Sequence, residues 1–193
     1  VEKFILATST LKENDYLIER SKKYSISSYR GSENDVLSRF IEVSNKENAD
    51  IIVRICADNP FICGSEIDRL VKFYFSSNCE YAFNHQNRLN CGYADGFGAE
   101  ILSAELLRKI GKSAKGKIYR EHVTLFIWDN QSSFKIKPIP APQKLCYPKL
   151  RFDVDTVDDK EKLDILIKSG ITIESSAIEI IEKYNYLSNI DTN

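Results

Sequence analysis

The sequence contains no methionine, only two histidines and a single tryptophan among its 193 residues. It also lacks strong charge of either sign, since 27 basic and 28 acidic residues leave a formal net charge of −1. Such a balance excludes the extended basic surface that holds a nucleic-acid backbone. No apolar run approaches the roughly 20 residues of a membrane-spanning helix. We therefore expect a protein that binds neither nucleic acid nor membrane.

Cysteine is present without the patterns that give it a structural role. The five cysteines are odd in number and form no CxxC pair, which disfavours a zinc site or a disulfide framework. The opening segment, residues 1–6, has neither the basic region nor the cleavage site of a signal peptide. Reduced thiols and no export signal predict a cytoplasmic protein.

Strand-like and helix-like segments alternate along the chain, which predicts an α/β domain with a mostly parallel sheet. The length suits one domain spanning residues 1–193. Residues 49–56 are apolar almost throughout, as expected of a central strand covered on both faces. Strands are predicted at 3–9, 25–29, 49–56, 80–83, 100–102, 134–139 and 150–155, and helices at 12–22, 35–46, 119–128, 158–169 and 174–184, with two more beginning near 65 and 104.

Two aspartate clusters follow predicted strands. Asp58 comes after the strand at 49–56, and Asp153 and Asp155 end the strand at 150–155. Ligands of open α/β sheets bind where strands end, and Mg²⁺ on phosphates takes one or two carboxylates. Residues 153 and 155 of an extended strand point to the same side. The clusters predict Mg²⁺ chemistry on a nucleotide phosphate. The alternatives are a turn before Pro60 and a solvated start of the following helix.

Six short motifs follow one another along the chain. They are Arg30 to Phe40, Ala49 to Arg54, Ala57-Asp58-Asn59-Pro60-Phe61-Ile62, Asp95-Gly96-Phe97-Gly98-Ala99-Glu100-Ile101, Arg120-Glu121-His122-Val123-Thr124 and Asp153-Val154-Asp155-Thr156. In that order they resemble motifs of the sugar cytidylyltransferases, and most of all those of the spore-coat polysaccharide (SpsF-like) branch, which is related to the synthetases of CMP-acylneuraminate and CMP-KDO. The resemblance covers nearly the whole chain and implies a nucleotide-diphospho-sugar transferase fold, a Rossmann-like αβα sandwich.

The resemblance implies a Mg²⁺-dependent transfer of CMP from CTP to a sugar acid or related sugar, with release of pyrophosphate, in surface polysaccharide or glycan synthesis. It also implies a possible homodimer. Asp58 and Asp155 match catalytic, metal-binding aspartates, with Asp153 beside them as a third metal ligand. Matches to the nucleotide-binding motif are Ser32, Asp35 and Arg39, and matches to sugar-side segments are Asn59, Asp95, Glu100, Arg120, Glu121 and His122.

One departure from the family leaves alternatives open. Such enzymes begin with a strand and a loop of the type Ala-Arg-x-Gly-Ser-x-Arg-x-x-x-Lys, whose amides and basic side chains cradle a triphosphate. Val1 matches the family's second strand, so we expect that an N-terminal piece is absent from this sequence. One alternative is a non-catalytic or fragmentary homologue that keeps a sugar pocket or dimer surface without CTP binding. Another is a glycosyltransferase in which Asp153-Val154-Asp155 is a DxD metal motif.

Overall fold

The structure, a computed structural model, describes residues 1–190 and divides into two compact units. The first unit comprises residues 1–53 and 102–135, and the second comprises 54–101 and 136 onward. Two of the boundaries between the units fall within strands, one in β3 (Ile51–Arg54) and one in β5 (Glu100–Ser103). None of the helices within residues 1–190 has the length and apolar character needed to cross a membrane.

The first unit opens with two parallel strands. They pair from Ile5 with Ser27 through Ser9 with Gly31, and the helix between them is the crossover that parallel strands require. Its core includes the fully buried Leu37, Leu107 and Ile127. Besides parts of β3 and β5, this unit contains β1 (Ile5–Ser9), α1 (Asp15–Lys23), β2 (Ser27–Gly31), α2 (Val36–Lys46), α4 (Ala104–Ser113), α5 (Lys117–Glu121) and α6 (Leu125–Asp129).

The second unit is built around parallel strands with an aromatic core. Tyr81 of one strand pairs with Ile136 of its parallel neighbour, and Tyr81, Phe83 and Phe152 are fully buried. The ring of Phe152 lies 4.8 Å from that of Phe97. This unit contains α3 (Gly64–Ser76), β4 (Tyr81–Phe83), β6 (Ile136–Pro138), α7 (Val157–Lys168) and α8 (Ala177–Ile190).

Strand pairing gives a two-stranded sheet, β1-β2, and a four-stranded sheet in the order β3-β5-β4-β6. Parallel pairing of β1 with β2 and of β4 with β6 agrees with the predicted α/β class. The prediction of a central position for β3 was wrong, because within residues 1–190 it lies at one end of this order. Its residues are accordingly half-buried rather than enclosed on both faces.

Two further predictions of regular structure were wrong. Residues 119–128 do not form one helix, because His122 is extended (φ −99°, ψ 92°) and separates α5 from α6. The β-branched Val123 and Thr124 that follow His122 lower helix propensity at the break. The segment 150–155 is not a strand either. It makes only an isolated bridge, in which Arg151 pairs with Asp95.

Candidate active site

Backbone hydrogen bonds bring the two aspartate clusters of the sequence together in the second unit. The amide of Val154 donates to the carbonyl oxygen of Asp58 at 2.9 Å. The backbone of Asp95, in another loop, is hydrogen-bonded to the segment that precedes Asp153. Its amide donates to Leu150 O and its carbonyl accepts from Phe152 N, both at 3.0 Å. Asp58, Asp95, Asp153 and Asp155 therefore form one group, which we call the acid cluster.

The glycines that follow Asp95 fit this loop to its neighbours. Gly96 has φ +110°, a conformation that L side chains rarely adopt, and an added Cβ would lie 3.0 Å from the backbone of Phe152. Gly98 lies against Asn84, whose side-chain Oδ1 accepts from the amide of Ala99 at 3.0 Å. Both glycines are thus required for close packing of the polypeptide around the acid cluster.

Burial and, to a smaller extent, charge repulsion raise the pKa of two members of the acid cluster. Burial raises the pKa of Asp58, and the neighbouring Asp153 and Asp155 raise it further. Burial is also the main cause that raises the pKa of Asp95 to about 6, followed by repulsion from Asp153, while Arg151 opposes the shift. Asp58 and Asp95 therefore bind protons more readily than exposed aspartates do.

Arg151 is the basic side chain that contacts this cluster. Its guanidinium forms two hydrogen bonds with Asp153, from Nε to Oδ1 at 3.0 Å and from Nη2 to Oδ2. The same Nη2 donates to Asp155 Oδ2 at 2.6 Å. Asp153 is buried, whereas Asp155 is exposed. Within residues 1–190 no basic side chain forms an ion pair with Asp58.

The start of α7 fixes the backbone of the acid cluster. Thr156 caps the helix by accepting from Asp159 N, and Asp159 Oδ2 accepts from the amides of Asp155 and Thr156 at 3.2 and 2.9 Å. This reciprocal capping box stabilises a helix start. The helix-start interpretation of the acidic run therefore holds for Asp159, while Asp153 and Asp155 lie in the segment that precedes the helix.

The acid cluster contains the type of ligand that a divalent cation prefers. Mg²⁺ keeps several waters and takes as few as one or two carboxylates from a protein. Asp58 and Asp155 supply two carboxylates next to a hydrogen-bonded pair of backbone segments. In the described part of the chain, no group of three or more His, Cys, Asp or Glu is placed to hold a metal ion by itself. A cation held by these two carboxylates would therefore need further ligands from outside the described residues.

The other sugar-side residues of the second unit are buried. Asn59 is 7% exposed and follows Asp58 in the turn. Glu100 is 2% exposed, and its carboxylate accepts from Arg54 Nη1 and from the hydroxyl of Tyr81. Burial alone would lower the pKa of Arg54, but Glu100 holds it above its ordinary value. Glu100 therefore links strands β3, β4 and β5 through a part-buried ion pair with Arg54 and a buried hydrogen bond from Tyr81.

In the first unit, the residues matched to the nucleotide motif surround the start of α2. Asp35 caps this helix, accepting from Ser38 N at 2.8 Å, and its own amide donates to Ser32 Oγ at 3.1 Å. Arg120 donates to Asp35 Oδ2 from Nε and Nη2, at 2.9 and 2.7 Å. Burial would raise the pKa of Asp35, but hydrogen bonds from Arg120 and Ser38 hold it below its ordinary value.

Arg120 is thus joined to the nucleotide-motif residues, although the sequence placed it on the sugar side. Its remaining donors reach Ser38 Oγ at 2.7 Å and Gly111 O at 3.0 Å, so the guanidinium connects α2, α4 and α5. Glu121 and His122 are exposed at the end of α5. Burial lowers the pKa of Arg39, whose Nε has no hydrogen-bond partner within residues 1–190.

Sequence reasoning missed Arg151, Arg54 and Tyr81. The spacing of Arg151, Asp153 and Asp155 was a usable signal, because alternate residues of an extended segment share a side. No comparable pattern pointed to Arg54 or Tyr81, whose shared partner Glu100 lies 46 and 19 residues away in the chain.

Replacing Asp95 by asparagine will stabilise the protein above pH 6. A carboxyl whose folded pKa is about 6, above its unfolded value, lowers stability as the pH rises from about 4 to about 6. After discounting for solvent screening of this partly buried group, we expect Asp95→Asn to gain roughly 1–2 kcal/mol at pH 7.5. The difference should vanish at pH 4.

Urea unfolding at several pH values measures this difference, with Asp68→Asn on the exposed side of α3 as the matched control. An Asp95→Asn protein that is less stable than wild type at pH 7.5 would show that the Asp95 carboxylate makes a net favourable interaction.

Comparison with known proteins identifies the family of this chain. A family model described as cytidylyltransferase matches residues 1–189. The chain is 30% identical to the spore coat polysaccharide biosynthesis protein SpsF of Bacillus subtilis, covering 95% of this chain and 75% of that protein. It is also 30% identical to the uncharacterized protein MJ1063 of Methanocaldococcus jannaschii, covering 100% of this chain and 78% of that protein.

A solved cytidylyltransferase from Leptospira borgpetersenii serovar Hardjo-bovis has the same fold. The TM-score is 0.87 at 28% identity, over 98% of this chain and 78% of that one. The predicted α/β nucleotidyltransferase fold is therefore confirmed, and the molecule is a nucleotidyltransferase. The chain belongs to the cytidylyltransferase family.

Proposed function

We propose that this protein transfers CMP from CTP to a sugar acid or a related sugar, with Mg²⁺, in the synthesis of a surface polysaccharide or glycan. Family membership supports the use of CTP, and the name of the Bacillus subtilis relative supports a place in polysaccharide synthesis. The observation that carries the metal dependence is the hydrogen bond from Val154 N to Asp58 O, which sets the two aspartate clusters side by side.

In the proposed reaction, a sugar hydroxyl attacks the α-phosphorus of CTP. A new P–O bond forms as the hydroxyl gives up its proton to solvent, the bond from the α-phosphorus to the α–β bridging oxygen breaks, and pyrophosphate leaves with that oxygen. Bound Mg²⁺ would offset the negative charge that develops on the phosphate oxygens. Asp58 and Asp155 are the residues that would hold the ion, and their fixed backbone positions would limit its movement.

The family motifs give an expected role to residues in each unit. In the first unit, Ser32, Asp35 and Arg39 would contact the nucleotide, with Arg120 holding Asp35 in place. In the second unit, Asp95 of the acid cluster and Asn59, which follows Asp58, would contact the sugar. Glu100 would act through Arg54 and Tyr81 as a positioning residue, because its carboxylate already accepts from both.

The test is release of pyrophosphate from CTP and Mg²⁺ in the presence of a panel of sugar acids and neutral sugars. We expect release that depends on CTP, on Mg²⁺ and on one class of sugar. Absence of release across a broad panel, together with no heat of CTP binding in a calorimetric titration, would favour a homologue that has lost CTP binding. Transfer from a UDP-sugar would instead indicate a glycosyltransferase.

A homodimer is a separate part of the proposal. Exposed apolar side chains, such as Ile173 at 89% and Tyr186 at 63%, are available on the second unit for such contacts. Light scattering coupled to size-exclusion chromatography will give twice the 22.1 kDa chain mass if the protein is a dimer.

A further inference from the structure

We infer that Arg151 is a built-in counter-ion of the acid cluster, and that a divalent cation binds by displacing its guanidinium from Asp155 while the guanidinium stays on Asp153. The inference rests on the proposed function, since it concerns the same cation. It separates Asp153 from the metal ligands that the sequence predicted and makes it a positioning residue for Arg151.

The two ion pairs of Arg151 differ in geometry. Asp153 has both carboxylate oxygens bonded to the guanidinium, through Nε and through Nη2. Two-pronged pairs of this kind are among the stronger hydrogen-bonded contacts of arginine. Asp155 accepts from Nη2 alone, at 2.6 Å. Loss of the Asp155 contact therefore removes one bond, whereas loss of the Asp153 contact would remove two.

Burial reinforces this difference. The side chain of Asp153 is only 9% exposed, so its charge needs a fixed partner. The side chain of Asp155 is 56% exposed, and ion pairs between exposed groups contribute little. Within residues 1–190 no protein donor reaches Asp155 Oδ1, which leaves that oxygen available. Asp155 is thus the carboxylate of this pair that can change partner.

The backbone around Arg151 stays anchored while its side chain moves. Lys162 Nζ donates to the carbonyl oxygen of Arg151 at 2.6 Å, and the Arg151 residue bridges to Asp95. The Arg151 side chain itself is 55% exposed and can move without disturbing the core. A guanidinium on Asp155 weakens the binding of a free cation. A cation that arrives with the negative charge of a nucleotide triphosphate is less affected.

The experiment is a titration with Mn²⁺ followed by electron paramagnetic resonance, with no nucleotide present. We expect Arg151→Gln to bind Mn²⁺ about fivefold more tightly than wild type, because an exposed ion pair no longer competes. Arg151→Lys, which keeps the charge without the two-pronged contact, should fall between the two. Lys160→Gln removes an exposed cation of α7 that pairs with Asp164, and it should bind as wild type does.

Circular dichroism and thermal unfolding show whether each variant is folded. If Arg151→Gln does not fold, the comparison is made between Arg151→Lys and wild type. If wild type binds Mn²⁺ and both Arg151 variants bind it equally well or more weakly, Arg151 organises the ligands and this inference is wrong. If neither wild type nor Arg151→Gln binds Mn²⁺ at millimolar concentration, this inference is wrong. The metal dependence of the proposed function is then decided separately, by pyrophosphate release with and without Mg²⁺.

Discussion

Replacing Asp58 by asparagine will lower the rate of CMP transfer by about three orders of magnitude, because a metal ion supplies several kcal/mol of charge stabilisation in such reactions. Asp58, like Asp95, forms no ion pair within the described residues, so no basic side chain competes directly for its carboxylate. Asparagine keeps the shape and loses the charge. The backbone hydrogen bond from Val154 to residue 58 does not involve the side chain and should survive.

Initial rates of pyrophosphate release measure this effect, and urea unfolding checks that the variant remains folded. Asp68→Asn in the same unit is the matched control and should keep the wild-type rate. Since burial and neighbouring acids raise the pKa of Asp58, the variant should be at least as stable as wild type without Mg²⁺. An Asp58→Asn enzyme with most of its turnover would remove Asp58 from the metal site.

Replacing Glu100 by glutamine will cost roughly 2–4 kcal/mol of unfolding free energy, slightly less than the typical loss when one partner of a fully buried ion pair is removed. Glu100 is almost fully buried and bonds Arg54 and Tyr81 across three strands. Glutamine retains the volume but not the charge that holds the pKa of Arg54 above its ordinary value. The loss is large because the half-buried guanidinium of Arg54 loses the charge of its carboxylate partner.

Chemical denaturation of Glu100→Gln and of Glu174→Gln, an exposed glutamate of the same unit, provides the comparison. The control should change stability by less than about 0.5 kcal/mol. If Glu100→Gln is as stable as wild type but has a KM for the sugar raised tenfold or more, Glu100 contacts the substrate directly. Its role would then be the one that the sequence motif implies.

Local chemistry made parts of this structure predictable from the sequence. The helix expected from residue 35 is observed as α2, and Asp35 caps it by accepting from Ser38 N. The hydroxyl of Ser103 likewise caps α4, the helix expected to begin near residue 104. Both features depend on a side chain and a backbone amide three residues away, so neighbouring residues are sufficient to specify them.

Tertiary contacts decided the features that were missed. The segment at 150–155 has the composition of a strand, but Phe152 packs on Phe97 and Tyr184 while Arg151 pairs with two aspartates. The isolated bridge to Asp95 replaces a ladder of strand hydrogen bonds. These partners are distant in sequence, apart from the aspartates themselves, so no local pattern could reveal them.

The acid cluster shows the same division. Sequence position placed Asp58, Asp153 and Asp155 at the ends of predicted strands, and the structure brings them together through Val154. The sequence did not show that Arg151 already forms hydrogen bonds with two of these three carboxylates, those of Asp153 and Asp155. Their assignment as metal ligands remains a prediction, and within it the structure distinguishes Asp155 from Asp153.

In crystals grown with Mn²⁺ and a non-hydrolysable CTP analogue, anomalous scattering would locate the bound metal. We expect one strong peak about 2.1 Å from a carboxylate oxygen of Asp58 and of Asp155, with the remaining positions filled by phosphate oxygens and water. A peak bound to the triphosphate but to neither aspartate would contradict it.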